Sequence, residues 1–248
     1  MPDEPRLEEQ ALDNLAEIAV SSQLDAAEKI EIDIRTNLLE IVQGEADSVS
    51  IEGQGLVMQK DIRVQEMELH TDRVAINPLS ALFGQIELNH SVDATARLVL
   101  TEQDINSALN SDYMRSKMPK IELNVEGKTA VIEPQHLELH LPGSGKMVFR
   151  ANTVLHDEIG KTKQIGFTAT ILVKTGEQPL LMEAFNCTPE GQGISLELAI
   201  AFIQKLKQLL NLPYFELEGM ALRVKDVDVQ KGNLTLHADA HVTQIPSS

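Results

Sequence analysis

The chain is poor in cysteine and in aromatic residues. Of its 248 residues one is cysteine and none is tryptophan, and the aromatic residues together make up 3%. The single cysteine, Cys187, excludes a disulfide within the chain and, without a partner motif, argues against a catalytic thiol. Because apolar residues still account for 42% of the sequence, the core has to be built from Ile, Leu, Val, Met and Ala, which gives an aliphatic and deformable interior.

Basic residues are also scarce. Lys and Arg number 21 against 38 Asp and Glu, a formal net charge of -17. Binding to nucleic acid depends on clustered Lys and Arg, so this balance argues against a nucleic-acid partner. It also argues against strong adhesion to an anionic membrane and leaves only transient contact through local patches such as Arg115 to Lys120.

Long apolar segments are missing as well. Met1 to Glu9 has neither a basic region nor an apolar region of the kind found in signal peptides. No apolar run approaches the roughly 18 residues that a transmembrane helix needs. We therefore expect a cytoplasmic protein that makes at most peripheral contact with a membrane.

Three helices are predicted by apolar periodicity and capping residues. The first covers residues 7–22. The second follows a capping box at Thr101 to Asp104. The third covers residues 194–210, where the apolar side chains span an arc of about 200°. So wide an arc indicates a helix enclosed by other elements, either in the protein core or as one wall of an apolar ligand cavity.

Alternation of apolar and polar residues dominates the rest of the chain. Lys29 to Arg35 is typical, and comparable segments recur at intervals of about ten residues, as in antiparallel sheets. Gly53 and Gly55 inside one strand predict a bulge or a bend, and a change of phase predicts a bulge near residues 65–66. The pattern predicts a β-rich α+β fold, a single domain over residues 1–248 in which a long curved antiparallel sheet wraps around one or two helices.

No motif in the sequence calls for catalysis. Gly143 to Lys146 is similar to the end of a phosphate-binding loop, but the residues around it do not complete that motif and predict a hairpin turn instead. His237, Asp239 and His241 share one face of a strand without a further ligand for a metal ion in view. We expect no enzymatic activity, no metal and no cofactor.

The amount of apolar surface suggests a ligand. The inner face of a long curled sheet offers more apolar surface than one or two helices cover, and an acyl chain suits an aliphatic cavity. The alternative is a protein-interaction scaffold with a filled core, which holds a partner by its acidic face or by an exposed strand edge. The sequence itself names no protein partner.

Six segments carry a resemblance to a known family: Ser21 to Asp25, Leu38 to Gly44, Asp47 to Met58, Ala75 to Leu79, Leu100 to Asn106 and Phe215 to Met220. With them the chain resembles the bacterial phospholipid-binding family named after lipomannan elongation factor A. The resemblance implies a fold similar to tubular lipid-binding proteins and the binding or transfer of phospholipid or another acyl lipid without turnover. Because no signal segment is seen, the chain looks closer to a cytosolic branch of that family.

On this hypothesis apolar side chains line a lipid groove, and nearby Lys side chains meet the head group at its mouth. The predicted lining residues are Val49, Ile51, Val57, Leu79, Leu82, Phe83, Leu196, Ile200, Phe202 and Ile203.

Overall fold

The computed structural model describes most of the chain. The described residues are 17, 24–58, 62–77, 87–117, 120–125, 128–156, 161–173, 180–189, 200–201, 203–205, 215–217 and 220–243. The predicted helix over residues 7–22 lies outside this set apart from Glu17, which is helical. Within the predicted helix over 194–210, the described residues 200–201 and 203–205 are helical.

Strands make up nearly all of the described structure. They are Leu24–Ala26 (β1), Lys29–Arg35 (β2), Glu45–Met58 (β3), Ile62–Ala75 (β4), Val92–Thr101 (β5), Ile121–Val125 (β6), Lys128–Gly143 (β7), Lys146–His156 (β8), Thr162–Val173 (β9), Leu180–Pro189 (β10), Phe215–Leu217 (β11), Met220–Gln230 (β12) and Asn233–Val242 (β13). The helices are Leu38–Gln43 (α1), Glu102–Leu109 (α2) and Asp112–Lys117 (α3).

The strands form two sheets. The first has the order β1-β3-β4-β5-β13-β12-β11, with β2 also paired to β3, and the second has the order β10-β9-β8-β7-β6. The pairings described within them are antiparallel, and one sheet is strongly curled. The predicted β-rich fold with curved antiparallel sheet is confirmed.

The chain divides into two compact units. Unit 1 comprises Met1–Leu100, Pro213–Asp226 and Thr235–Ser248, and unit 2 comprises Thr101–Leu212 and Val227–Leu234. Strands β12 and β13 therefore contribute residues to both units. The prediction that residues 1–248 fold as one domain stays a prediction.

A change of face in unit 1 replaces the predicted bulge near residues 65–66. The pairing of β3 with β4 keeps one register from Glu45↔Ala75 to Met58↔Ile62, so the predicted bulge is wrong. Gly55 instead has a φ of +57°, a left-handed conformation that suits glycine. Because β3 and β4 turn their buried sides over together there, the phase changes without a shift of register.

The turns and caps of unit 2 follow the sequence pattern. Residues Gly143 to Gly145 have φ values of 93°, 56° and 70° and connect β7 to β8, so the predicted hairpin turn is confirmed. The predicted helix start is confirmed too: Thr101 is the N-cap of α2, and its hydroxyl accepts a hydrogen bond from the Asp104 N–H at 3.1 Å.

The core of unit 2 lies on one face of its sheet. Leu123, Ile132 and Ile165 form its buried centre. Around them pack half-buried apolar side chains, including Phe167 and Phe185, whose rings stack with centroids 5.9 Å apart. Ala201 packs against the same centre, so the helical segment at 200–205 belongs to this core.

Candidate functional site

Unit 1 carries a continuous apolar surface on one side of four neighbouring strands, which we call the aliphatic face. It is built from three rows of directly paired residues across β2, β3, β4 and β5. The rows are Ile30, Gly53, Met67 and Leu98; Ile32, Ile51, Leu69 and Ala96; and Ile34, Val49, Thr71 and Ala94.

Strand geometry fixes the size of the aliphatic face. Neighbouring strands lie about 4.8 Å apart and alternate residues about 6.7 Å apart, so the rows cover roughly 14 by 13 Å. The rows between them point to the other side of the sheet and are polar, as in Glu31, Glu52, Glu68 and Arg97. The same four strands therefore have one aliphatic face and one charged face.

Much of the aliphatic face is only partly covered by protein. Ile32 and Ala94 are buried, with 5% and 7% of their surface exposed, whereas Val49, Ile51 and Leu69 are half-buried. An apolar ligand that covers this half-buried surface removes it from water, which lowers the free energy.

The one hydroxyl on the aliphatic face is satisfied by the protein. Thr71 is 6% exposed, and its Oγ1 donates to the backbone oxygen of Asp93 at 2.9 Å. A buried hydroxyl that already has its partner does not oppose an apolar neighbour.

Position 57 shows what the change of face at Gly55 does to the predicted lining. Val49 and Ile51 lie on the aliphatic face. Val57 lies beyond the change of face at Gly55, where it is paired with Arg63 and is not part of the three rows. Leu56, which is fully buried, folds instead over Gly53, where an added Cβ would be 2.6 Å from its Cδ1.

Two of the predicted lining residues, Ile200 and Ile203, lie on the helical segment at 200–205. Ile200 is 46% exposed and Ile203 is half-buried. Leu79, Leu82, Phe83, Leu196 and Phe202 lie outside the described residues. The sequence reasoning missed Leu69, Leu98 and the isoleucines of β2, because alternation reveals a strand's apolar side but does not say which strands are neighbours.

Unit 1 also has a groove of about 470 Å³ between β4, β5, β13 and β12, in which charged side chains lie beside Ala94, Ala221 and Ala240. Its charged side chains are largely paired: His241 Nδ1 lies 2.7 Å from Asp93 Oδ1, and His70 Nε2 lies 3.3 Å from Asp72 Oδ1. The groove therefore combines paired polar side chains with an apolar alanine surface.

Ser50, His70 and Asp72 form a chain of contacts on the charged face of unit 1. Ser50 Oγ is 2.9 Å from His70 Nδ1. The imidazole side chain is 53% exposed and the carboxylate side chain of Asp72 is 86% exposed. Catalytic activation of a hydroxyl depends on a site that excludes water, and this exposure leaves the three groups in a high dielectric.

Metal ligands and a reactive thiol are the other chemistries to consider. No three His, Cys, Asp or Glu side chains among the described residues are placed to hold one metal ion. Burial raises the pKa of the Cys187 thiol, which lowers the thiolate fraction and the nucleophilicity.

A comparison with models of protein families shows the family to which the chain belongs. A family model described as LmeA-like phospholipid-binding matches residues 4–239. The chain belongs to this family. The description of the family names phospholipid binding and no enzymatic activity. No curated protein and no solved structure gives a match. Within the part of the chain that the structure describes, no helix has the length and hydropathy to span a bilayer.

The segments that carry the family resemblance have structural roles in this chain. Asp47 to Met58 spans most of β3, the strand that contributes Val49 and Ile51 to the aliphatic face. Leu100 to Asn106 contains the N-cap and first turns of α2. In this chain these two segments therefore shape a strand and the start of a helix.

Proposed function

We propose that this chain binds and carries a phospholipid or another acyl lipid, without turnover, with the aliphatic face as the contact for its acyl chains. The observation that carries the proposal is the set of three rows, in which most side chains are only half-buried and none is aromatic. Membership of a phospholipid-binding family supports the class of ligand.

The energetics of acyl-chain burial support this assignment. Each methylene removed from water contributes about 0.8 kcal/mol, so ten methylenes contribute roughly 8 kcal/mol before the costs of association. The costs of association are subtracted from this gross figure, so the net free energy of binding is smaller. Aliphatic side chains with several rotamers adapt to such a chain without a fixed complementary shape.

The remaining lining residues predicted from sequence extend this proposal. Leu79, Leu82 and Phe83 would extend the lining of unit 1, and Leu196, Ile200, Phe202 and Ile203 of the predicted C-terminal helix are proposed as further lipid contacts. A carrier of this kind takes up lipid during transient contact with a membrane, and we place it in the cytoplasm.

Native mass spectrometry of the purified protein, combined with solvent extraction, tests whether lipid is bound. We expect one phospholipid or acyl lipid per chain and uptake of a fluorescent phospholipid. A variant carrying Ile51→Thr and Leu69→Thr should take up several times less, because both changes put hydroxyls on the aliphatic face. The matched control carries Glu52→Thr and His70→Thr on the charged face of the same strands and should bind normally.

Two results would contradict the proposal. Absence of both co-purified lipid and fluorescent-lipid uptake would favour the scaffold alternative. Equal uptake by the two folded double variants would show that the lipid does not contact the aliphatic face.

A further inference from the structure

The edge of β7 that faces away from β8 is covered by side chains in place of a strand. In the described part of the chain, β6 pairs with β7 only from Lys128 to Ile132. Beyond that point the backbone groups on the outer edge of Gln135 to Leu141 are bonded by α2 and its C-cap, by α3 and by Gly232. All of these residues belong to unit 2.

Two asparagine side chains of α2 and its C-cap take the place of peptide groups in a neighbouring strand. Asn106 Oδ1 accepts from the Leu139 N–H at 2.7 Å, and Asn106 Nδ2 donates to the Leu139 carbonyl at 2.8 Å. Asn110 does the same for Leu137, at 3.1 and 2.7 Å. Each amide thus satisfies both the donor and the acceptor of one strand residue.

The cover continues in both directions along β7. The Glu102 carboxylate accepts from the Leu141 N–H at 2.6 Å, and the Leu141 carbonyl accepts from the Gly232 N–H at 2.9 Å. Arg115 donates to the Gln135 carbonyl at 3.1 Å. Four successive outward-facing residues of the strand therefore have partners.

A match of repeat lengths makes this cover possible. Residues 102, 106 and 110 are spaced by four, which advances a helix by about 6 Å. Alternate residues of a strand advance by about 6.7 Å. The helix therefore keeps in step with the strand over three repeats.

The covered segment would pair well with a second copy of itself. An unpaired strand edge is a template for strand addition by another chain. His136 to His140 reads the same in both directions, as His-Leu-Glu-Leu-His. An antiparallel pair with its two-fold axis at Glu138 places Leu137 opposite Leu139 of the second copy, with every N–H and C=O now held by asparagine in a backbone bond.

We propose that this edge of β7 is a self-pairing surface for a second copy of the chain and that α2 closes it through Asn106 and Asn110. When α2 moves away, each chain loses the four hydrogen bonds of its Asn106 and Asn110 side chains and gains an antiparallel strand pair with the second chain. The inference goes beyond lipid binding and does not depend on it.

The charges on this segment set the strength of the pairing. The two Glu138 carboxylates lie opposite each other in the pair, which weakens it. Arg150 on β8 lies 3.6 Å from Glu138 and offsets that repulsion. His136 and His140 flank the same position on the exposed side of the strand.

Cross-linking at position 138 tests the proposal. The test protein carries Asn106→Leu, Asn110→Leu, Glu138→Cys and Cys187→Ser. Residues opposite each other at a non-hydrogen-bonded site have Cα atoms about 4.5 Å apart, which permits a disulfide. We expect this protein to be dimeric by light scattering. It should form the disulfide between the two cysteines introduced at position 138 at least about tenfold faster than the same protein with native asparagines. This factor corresponds to the loss of one hydrogen bond of typical strength.

Two controls separate edge pairing from nonspecific association. Gln103→Leu with Ser107→Leu places the same side chains on the exposed side of α2 and should leave the chain monomeric. The protein with Asn106→Leu and Asn110→Leu that carries Arg150→Cys in place of Glu138→Cys should not cross-link. If the double asparagine variant loses its circular dichroism signal, Asn110→Ala with Glu138→Cys gives the same readout. A folded variant that stays monomeric, or dimerises without the 138–138 disulfide, would overturn the proposal.

Discussion

The side chain of Leu56 occupies the space in which a side chain at position 53 would lie. A Cβ built on Gly53 would be 2.6 to 2.9 Å from Leu56 Cδ1, Cδ2 and Cγ, and Leu56 is fully buried. The glycine therefore makes room for a leucine that reaches the same face from three residues further on. This contact completes the aliphatic face where β3 changes sides.

Substitution of Gly53 should destabilise unit 1. Gly53→Val forces Leu56 out of its position, and overpacking of this kind costs about 1–3 kcal/mol. The measurement is the urea concentration at half-unfolding, with Gln54→Val, an exposed neighbour on the same strand, as the control. An unchanged midpoint for Gly53→Val would show that Leu56 has another place to go.

Acid should weaken the contact of α2 with β7. The hydrogen bond from the Leu141 N–H, aided by His140, holds the pKa of Glu102 below its ordinary value of 4.5. A carboxylate with a lowered pKa contributes stability above that ordinary value, and this contribution is lost as the pH falls through the folded-state pKa.

Unfolding by urea between pH 7 and pH 3 measures this effect. We expect Glu102→Gln to show a smaller loss of stability below about pH 4.5 than the native chain. Glu133 also has a lowered pKa, because Lys120 donates to its carboxylate, so Glu133→Gln serves as the surface comparison. Identical pH profiles for native chain and Glu102→Gln would contradict the assignment.

The two compact units should unfold together. β12 and β13 contribute residues to both units, so loss of either unit interrupts both strands. Scanning calorimetry should give one transition whose calorimetric and van't Hoff enthalpies agree. Two resolved transitions would show that the units are separate folding domains.

Adjacent residues of the C-terminal helical segment should respond differently to a charge. Ile200 is 46% exposed, so Ile200→Asp should change the free energy of unfolding by about 0.5 kcal/mol or less. Ala201 packs against the core of unit 2, so Ala201→Asp should cost several times more. Thermal unfolding by circular dichroism compares them, and equal losses would mean that Ile200 is a core residue.

The Ile200→Asp protein also tests the extent of the lipid site. If the C-terminal helix contacts the ligand, this folded variant should take up less fluorescent phospholipid than the native chain. Normal uptake would confine the ligand to other surfaces and remove Ile200 from the proposed lining.

Local features of the fold were predictable because local chemistry decides them. The Thr101 cap depends on a side chain and an N–H three residues apart, and the turn at Gly143 to Gly145 depends on left-handed backbone conformations. The alternation in Lys29–Arg35 follows from strand geometry alone. Each of these requires only neighbouring residues, which the sequence shows directly.

The bulge near residues 65–66 was mispredicted for a physical reason. A change of phase in one strand is the signature both of a bulge and of two strands that turn over together. Only the partner strand distinguishes them. The constant register between β3 and β4 excludes a bulge, and the positive φ of Gly55 marks where the strands turn over.

The sequence by itself determined the class of this protein. Its aliphatic composition, its alternating segments and its family segments predict a curved antiparallel fold of a phospholipid-binding family. Tertiary structure decided which apolar sides meet: Ile32, Ile51 and Leu69 come from three strands, and their pairing depends on register between segments far apart in the chain. It also decided that Asn106 binds the backbone of Leu139, because a hydrogen bond across 33 residues leaves no periodic signal in the sequence.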